Sequence, residues 1–208
     1  ESEEALSMKF RTEVANLFNV LATPAVVFAE MCGNPRYRVP VLFTLISSLI
    51  VGYFMIPAAE QILRGIYMHS FGQENADGAI SSMMKVYFIL GILTQTFMIF
   101  ARWVLFAVIL YYITRLYVPK SCLNGKQIFS LVAYSEIIFI AMSVLTVLII
   151  YARGLEKIES SEDMVVFKGV DYLFDMRKNN VQLAAVLSSI NIFSLWYILV
   201  VSVGLRIL

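Results

Sequence analysis

Long apolar segments alternate with shorter polar ones along the chain, and this pattern predicts the fold. The apolar segments cover about residues 39–57, 86–117, 127–151 and 181–205. The hydrocarbon core of a bilayer is about 30 Å thick, so about 20 helical residues are enough to cross it. The pattern therefore predicts an all-α fold, a polytopic transmembrane helix bundle of four spans that forms a single membrane domain over residues 1–208.

The second apolar segment leaves the number of spans open. Residues 86–117 are long enough for one tilted helix, or for two shorter passes that break near Gln95. No Gly or Pro turn occurs at that point, so one helix is the preferred interpretation and five spans in total is the alternative.

The N-terminal residues have the periodicity of an amphipathic helix. The apolar stripe of residues 5–21 consists of Phe10, Val14, Leu17, Phe18 and Leu21. Pro24 stands in the first turn of a second helix, which ends at the stop signal around Pro35. We predict that residues 5–31 form interfacial helices that either lie in the lipid headgroup plane or pack on the cytoplasmic end of the bundle.

Three polar connectors join the four predicted spans. Residues 60–85 contain Gly, Asn and Asp turn signals between 71 and 78, so we predict a connector with turns. Residues 118–126 form a short turn, and residues 153–180 form a charged connector with a predicted interfacial helix. The apolar side of that helix consists of Val166, Val170, Leu173 and Phe174.

Composition and charge indicate the environment and the partners. Hydrophobic residues make up 60% of the chain, and its mean hydropathy is +0.78, whereas soluble domains are about 45–50% apolar. The lipid bilayer is therefore a predicted partner. The net charge of +1 and the lack of a basic run predict no nucleic-acid partner. The chain begins at Glu1, and the first span is expected to direct insertion without a signal peptide.

Basic residues set the predicted orientation. Arg36 and Arg38 stand directly before the first span, and further Lys and Arg residues cluster around residues 118–126. The positive-inside rule then places both termini and this turn in the cytoplasm.

One charge interrupts the longest apolar segment. Arg102 precedes Arg115 by about three helical turns and lies near the middle of the second span. Such a position is costly, so a partner or a task is expected. Glu136, the acidic residue inside the third span, lies within roughly 8 Å of the same depth if the two spans pair around the short turn.

We therefore predict a buried ion pair between Arg102 and Glu136, with Gln95 and Tyr134 nearby. The pair has two interpretations. It is either a substrate, proton or anion site inside the bundle, or a structural clasp whose loss would leave one charge buried and unpaired.

Catalytic and metal-binding motifs are not found in the sequence. All four Asp residues lie in connectors, and the single histidine, His69, belongs to no HExxH motif. Cys32 and Cys122 form no CxxC motif and are interpreted as free thiols. We predict neither an enzyme nor a metal site or cofactor.

Three groups of short motifs, in this order, resemble the Ypt-interacting-protein (YIP) family. A proline-marked helix leads through a basic, aromatic turn into the first span, Ala133-Tyr134-Ser135 resembles a Gly-Tyr-Ser signature, and the last span resembles that of bacterial members. The matching residues include Pro24, Pro35, Pro40, Tyr134, Ser135, Asn191, Phe193, Trp196 and Gly204.

The resemblance covers roughly residues 20–208 and implies an integral membrane adaptor. Glu136 follows the signature where the family often has a proline. Eukaryotic members usually have five spans and a longer cytosolic N-terminal region, which they use in Golgi and ER trafficking with Rab-type GTPases. Four spans and a short amphipathic start resemble the bacterial branch, which implies the bacterial cytoplasmic (inner) membrane.

Two functions follow as hypotheses. The first is a non-enzymatic adaptor or accessory subunit that binds another membrane protein or transport machine through the N-terminal helices and the 153–180 connector. The second is a small oligomeric carrier or channel for a small molecule, ion or lipid, with Arg102 and Glu136 in its path. The protein partner in the first case is another membrane protein, and in the second case it is a second copy of the chain.

Overall fold

The chain is helical in a computed structural model that describes residues 3–33, 35–71, 73–118, 123–174 and 181–208. No strand occurs in these ranges. The α-helices are α1 (Glu3–Ala22), α2 (Pro24–Met31), α3 (Arg38–Phe71), α4 (Gln73–Tyr117), α5 (Gly125–Ser135), α6 (Ile137–Arg153), α7 (Val181–Ser188) and α8 (Ile192–Ile207). Two short 3-10 helices, Leu155–Lys157 and Val170–Phe174, lie between α6 and α7. The predicted all-α fold is confirmed.

Three continuous segments are long and apolar enough to cross a membrane. They are Arg38–Ile66, Leu93–Tyr117 and Gly125–Arg153. A fourth is present if Gln182–Ser188 and Ile192–Ile207 form one broken span. These segments define a helical membrane bundle of three or four spans.

The predicted connector at residues 60–85 is helical on both sides of residue 72, which lies outside the described residues together with the turn predicted there, and only the turn at Asp77-Gly78 is wrong. Helix α3 continues through Pro57 to Phe71, and α4 begins at Gln73, so the Asp77-Gly78 signal lies inside a helix. A glycine inside a helix costs only about 1 kcal/mol, which the helical residues on both sides outweigh. Arg64 Nη2 also donates to Glu60 Oε1 over 2.9 Å, an i,i+4 contact that supports the continued α3.

The third span contains a local irregularity at Glu136. Helix α5 starts at Gly125 because Asn124 caps it. The Asn124 side chain accepts from the Gln127 N–H, and the Gln127 side chain accepts from the Asn124 N–H, both over 2.9 Å. At the other end the Glu136 N–H donates to Val132 O over 3.2 Å and Glu136 O accepts from Phe139 N over 3.0 Å, so the hydrogen-bonded path continues into α6.

The contacts divide the chain into two compact units. The first consists of Glu1–Ile46, Met98–Ile140 and Phe193–Leu208, and the second of Ser47–Phe97 and Ala141–Ile192. Each unit draws on segments that are distant in sequence.

In the first unit, α1 packs against α2 and α5. Leu17 and Val20 on α1 are fully buried, which follows the interpretation that α1 packs on the protein. Of the predicted apolar stripe, Leu17 is buried together with the neighbouring Val20, whereas Phe10 and Phe18 are exposed. The core of this unit contains Val27, Phe28, Trp103, Ile128, Leu131, Val132, Ile138 and Val200.

In the second unit, the connector after α6 folds back onto the helices. Ala58 and Ile150 form a buried cluster with Ile158, and Met164 and Val166 pack against it. Val166 is therefore a core contact of this unit. Where the structure describes this region, the predicted interfacial helix corresponds to the 3-10 helix Val170–Phe174, and residues 175–180 and the side chains of Leu173 and Phe174 lie outside the described part.

A turn in the same connector is held by one aspartate. Asp163 accepts hydrogen bonds from the backbone and hydroxyl of Ser160 and from the backbone of Glu159, over 2.8, 2.9 and 3.1 Å. These bonds, the Ser160 backbone N–H first among them, lower the pKa of Asp163 from its usual value.

Candidate functional site: an ion pair within the transmembrane helices

Arg102 lies well inside a transmembrane helix. It belongs to the segment Leu93–Tyr117 of α4, near the middle of that span. A charged side chain at the centre of a bilayer costs at least about 2.5–3.5 kcal/mol when nothing compensates for it. Its contacts therefore decide how the protein tolerates this residue.

The structure brings Arg102 and Glu136 together. Arg102 Nη2 donates directly to Glu136 Oε1, as the sequence predicts. Only 4% of the Glu136 side chain is exposed, whereas 51% of the Arg102 side chain is exposed. The contact is thus one-sided, with the carboxylate enclosed by protein and the guanidinium at the surface of the unit.

Aromatic rings lie on the buried side of the ion pair. The Arg102 guanidinium carbon lies 4.9 Å from the ring centroid of Phe139, a cation–π contact. Tyr197 on α8 packs against Phe139 and Phe106, with ring centroids 5.0 and 5.7 Å apart, and is itself buried. Because Glu136 itself is buried, its attraction to the guanidinium is screened less than it would be in water.

Sequence reasoning missed Phe139 and Tyr197 as parts of this site. Phe139 lies three residues after Glu136 and so on the same face of the helix, which is a signal that could have found it. Tyr197 comes from a distant helix, and nothing in the local sequence indicates its contact with Phe139.

Gln95 and Tyr134, which were predicted nearby, have other surroundings. Gln95 belongs to the second unit, where its Oε1 lies 3.8 Å from the position that a β-carbon on Gly52 would take. Tyr134 is fully buried in the first unit, within electrostatic range of Glu13 and Arg36 on the N-terminal segments. Tyr134 therefore belongs with the polar contacts that hold those segments.

A series of polar contacts attaches the N-terminal segments to α5. Ser130 Oγ donates to Arg36 O over 2.7 Å, and Arg36 Nη1 lies 3.6 Å from Glu13 Oε1. Gln127 Nε2 donates to Cys32 O over 2.7 Å. The same glutamine caps α5, so one side chain both starts that helix and binds the end of α2.

The prolines and the serine of the family motif have local structural roles. Pro24 is the first residue of α2, where its missing N–H is not needed. Pro35 lies in the extended segment before α3, and Pro40 is buried in the first turn of that helix. Ser135 Oγ donates to Leu131 O over 2.9 Å, so it is satisfied within its own helix.

The motif residues of the last span have different surroundings. Asn191, in the second unit, donates through Nδ2 to Met142 Sδ over 3.9 Å. Phe193, at the start of α8, is buried, and its ring centroid lies 6.4 Å from that of Trp196. Packing, together with the break in the helix before α8, accounts for these residue types at the start of the last span.

Gly204 permits a close approach between helices in the first unit. A β-carbon at this position would overlap the side chain of Leu131 and lie 2.9 Å from Phe28 Cδ2. The backbone of α8 can contact α2 and α5 only because the glycine has no side chain.

The second unit contains an apolar cavity of about 390 Å³. It is lined by Ile50, Val51, Phe54, Val144, Val147, Leu148 and Tyr151. Neither residue of the ion pair contributes to it. Within the described ranges, no three His, Cys, Asp or Glu side chains lie close enough to hold a metal ion.

Long apolar helices and a charge pair that joins two of their spans define an integral membrane protein of the helical-bundle class. The family model described as the Yip1 domain matches residues 18–208, nearly the whole chain. The chain therefore belongs to the Yip1 domain family, and the sequence-based resemblance is confirmed. No curated protein matches the chain, and no solved structure matches it.

Proposed function

We propose that this protein is a non-enzymatic membrane adaptor or accessory subunit that binds another membrane protein or transport machine. The closed contact between Arg102 and Glu136 is the observation that carries the proposal. A carrier or channel that uses these charges needs the carboxylate in a wet path, but the Glu136 side chain is buried in protein and contacts Arg102. An enclosed pair acts as a clasp that fixes α4 against the third span.

Two exposed surfaces support a binding role. Met8, Phe10 and Phe18 expose apolar area along α1, although Leu17 and Val20 of the same helix are buried in the first unit. In the connector after α6, Val165 and Tyr172 are exposed as well. Exposed apolar patches on elements beside the membrane spans are typical of protein or membrane contact sites.

We further propose that the protein lies in the bacterial cytoplasmic membrane, with its termini and the 118–126 turn in the cytoplasm. Arg38 begins α3, and the last turns of α4 and α8 carry Arg115 and Arg206. These arginines flank spans on the side that the positive-inside rule assigns to the cytoplasm.

Thiol accessibility tests this orientation. Cys32 follows α2 and is exposed, and a Cys122→Ser variant leaves it as the single thiol of the chain. A membrane-impermeant maleimide is expected to label this variant in inverted vesicles and not in intact cells. Cys32→Ser/Cys122→Ser serves as the unlabelled control. Rapid labelling in intact cells would contradict the proposed orientation.

Native co-purification tests the adaptor proposal. The full chain, extracted from its own membranes in mild detergent, is expected to carry a stoichiometric membrane-protein partner that mass spectrometry identifies. Loss of that partner from a Phe10→Ser/Phe18→Ser variant, with Val26→Ser on the exposed side of α2 as the matched control, would locate the contact on α1.

The alternative function, an oligomeric carrier or channel for a small molecule, ion or lipid, is favoured by the exposed half of Arg102. In that case the chain would purify as a homo-oligomer without a partner, and proteoliposomes would show a flux that Arg102→Ala abolishes. That pair of results would overturn the adaptor proposal.

A further inference from the structure

The guanidinium of Arg102 has more hydrogen-bond donors than its contacts use. An arginine has five N–H donors in a fixed plane. One nitrogen donates to Glu136, one face of the plane lies on Phe139, and within the described part of the chain the remaining N–H groups have no acceptor. At mid-span there is no bulk water to satisfy them.

The residues around Arg102 form an exposed stripe on α4. Met98, Leu105 and Ile109 lie four, three and seven residues from Arg102, so they share its face of the helix, and Ala101 directly adjoins Arg102 at the edge of this face. All four are exposed, and the small Ala101 beside Arg102 allows another backbone to approach closely. We call this set, with Arg102, the Arg102 stripe.

We propose that the Arg102 stripe binds a transmembrane helix of a different membrane protein, one that carries an Asp, Glu, Asn or Gln side chain near the middle of its span. Such a side chain accepts hydrogen bonds from the donors that Glu136 leaves unused, and the apolar residues of the stripe pack on either side. This inference rests on the proposed adaptor function and names the chemistry of the partner.

A second copy of this chain is a poorer occupant. A twofold dimer is isologous, so it would place one Arg102 stripe against another and bring the two guanidinium groups together. Two arginine side chains offer each other only donors, and Glu136, buried against its own Arg102, is not free to accept from the second copy. A lipid phosphate would have to leave the headgroup layer and descend toward the middle of the bilayer.

Site-specific photocrosslinking in native membranes tests the proposal. p-Benzoylphenylalanine replaces Leu105, one turn from Arg102, and in a control chain it replaces Leu199, an exposed apolar residue on α8. The Leu105 probe is expected to give a discrete adduct whose crosslinked peptide lies in a transmembrane segment with an Asp, Glu, Asn or Gln at mid-span. The Leu199 probe is expected to give no such adduct.

Two variants test whether formation of the Leu105 adduct depends on the Arg102 guanidinium. Arg102→Met/Glu136→Gln removes both charges without leaving one unpaired. In this variant the yield of the Leu105 adduct is expected to fall roughly tenfold, as the loss of an interhelical hydrogen bond predicts. Arg102→Lys keeps the ion pair but removes the planar set of donors, so it should also reduce the yield. Elution as a single peak in gel filtration verifies the fold of each variant.

Three results would overturn the proposal. They are an adduct with lipid alone, an adduct with a second copy, or an adduct that both Arg102 variants leave unchanged. A second photocrosslinking probe, at Phe10, distinguishes failure of this inference from failure of the adaptor function. A partner adduct at Phe10 without one at Leu105 overturns the inference and leaves the adaptor function in place, whereas no adduct at either position, together with no co-purified partner, contradicts both.

Discussion

Arg102→Met is expected to lower the free energy of unfolding by roughly 3–5 kcal/mol, because it leaves the buried Glu136 carboxylate without its counter-charge. The loss of stability comes from the unpaired Glu136 carboxylate that remains and not from the removal of the arginine side chain itself. Glu136 has almost no access to solvent, so it can neither hydrate nor move to a new partner. The measurement is the denaturant or thermal unfolding midpoint of the purified protein in detergent.

The double variant Arg102→Met/Glu136→Gln identifies the cause. With both charges gone, no ion is left buried and unpaired, so most of the lost stability should return even though the ion pair is absent. If the double variant is as unstable as Arg102→Met, the two residues do not act as a pair. The exchange Arg102→Glu/Glu136→Arg gives an independent control, since it should be more stable than either single exchange.

Gly204→Ala is expected to destabilise the protein by about 1–3 kcal/mol, as overpacking of a well-packed core typically does. The added methyl group would overlap Leu131 and press on the ring of Phe28, and both side chains are fully buried. They can yield only by shifting helices α2 and α5. The midpoint of thermal unfolding measures the effect.

Gly91→Ala is the matched control for Gly204→Ala. Gly91 also lies inside a helix, but a β-carbon there meets nothing within 4 Å. Alanine is the better helix former by about 1 kcal/mol, so this variant should be as stable as the parent protein or slightly more stable. Equal effects at the two positions would mean that the close approach at Gly204 does not matter.

The sequence predicts the membrane helices well because one physical requirement dominates them. A segment that crosses the bilayer must be apolar over its whole length, so composition alone locates it. The Arg102–Glu136 contact was predictable for a related reason. Charges are rare inside spans, and two opposite charges at a similar depth on adjacent spans have few other partners.

The errors occur where local signals compete with neighbouring structure. The turn signal Asp77-Gly78 has a weak preference, and the long helix α4 that contains it overrides it. The surroundings of α1 stayed open because Phe10, Leu17 and Phe18 are all apolar, and only the contacts with α2 and α5 decide which of them is buried. Tyr197 and Gly204 act through distant helices, so local periodicity cannot reveal their roles.

The first unit is assembled from segments that lie far apart in the sequence, and this affects the order in which its contacts form during synthesis. Phe28 is translated early, yet the glycine that it packs against, Gly204, follows only after every other span has been made. Long-range contacts of this kind form late, because a long loop must close before they can stabilise anything. The contact between Phe28 and Gly204 can therefore form only once α8 has been made, so this part of the first unit is completed late in synthesis.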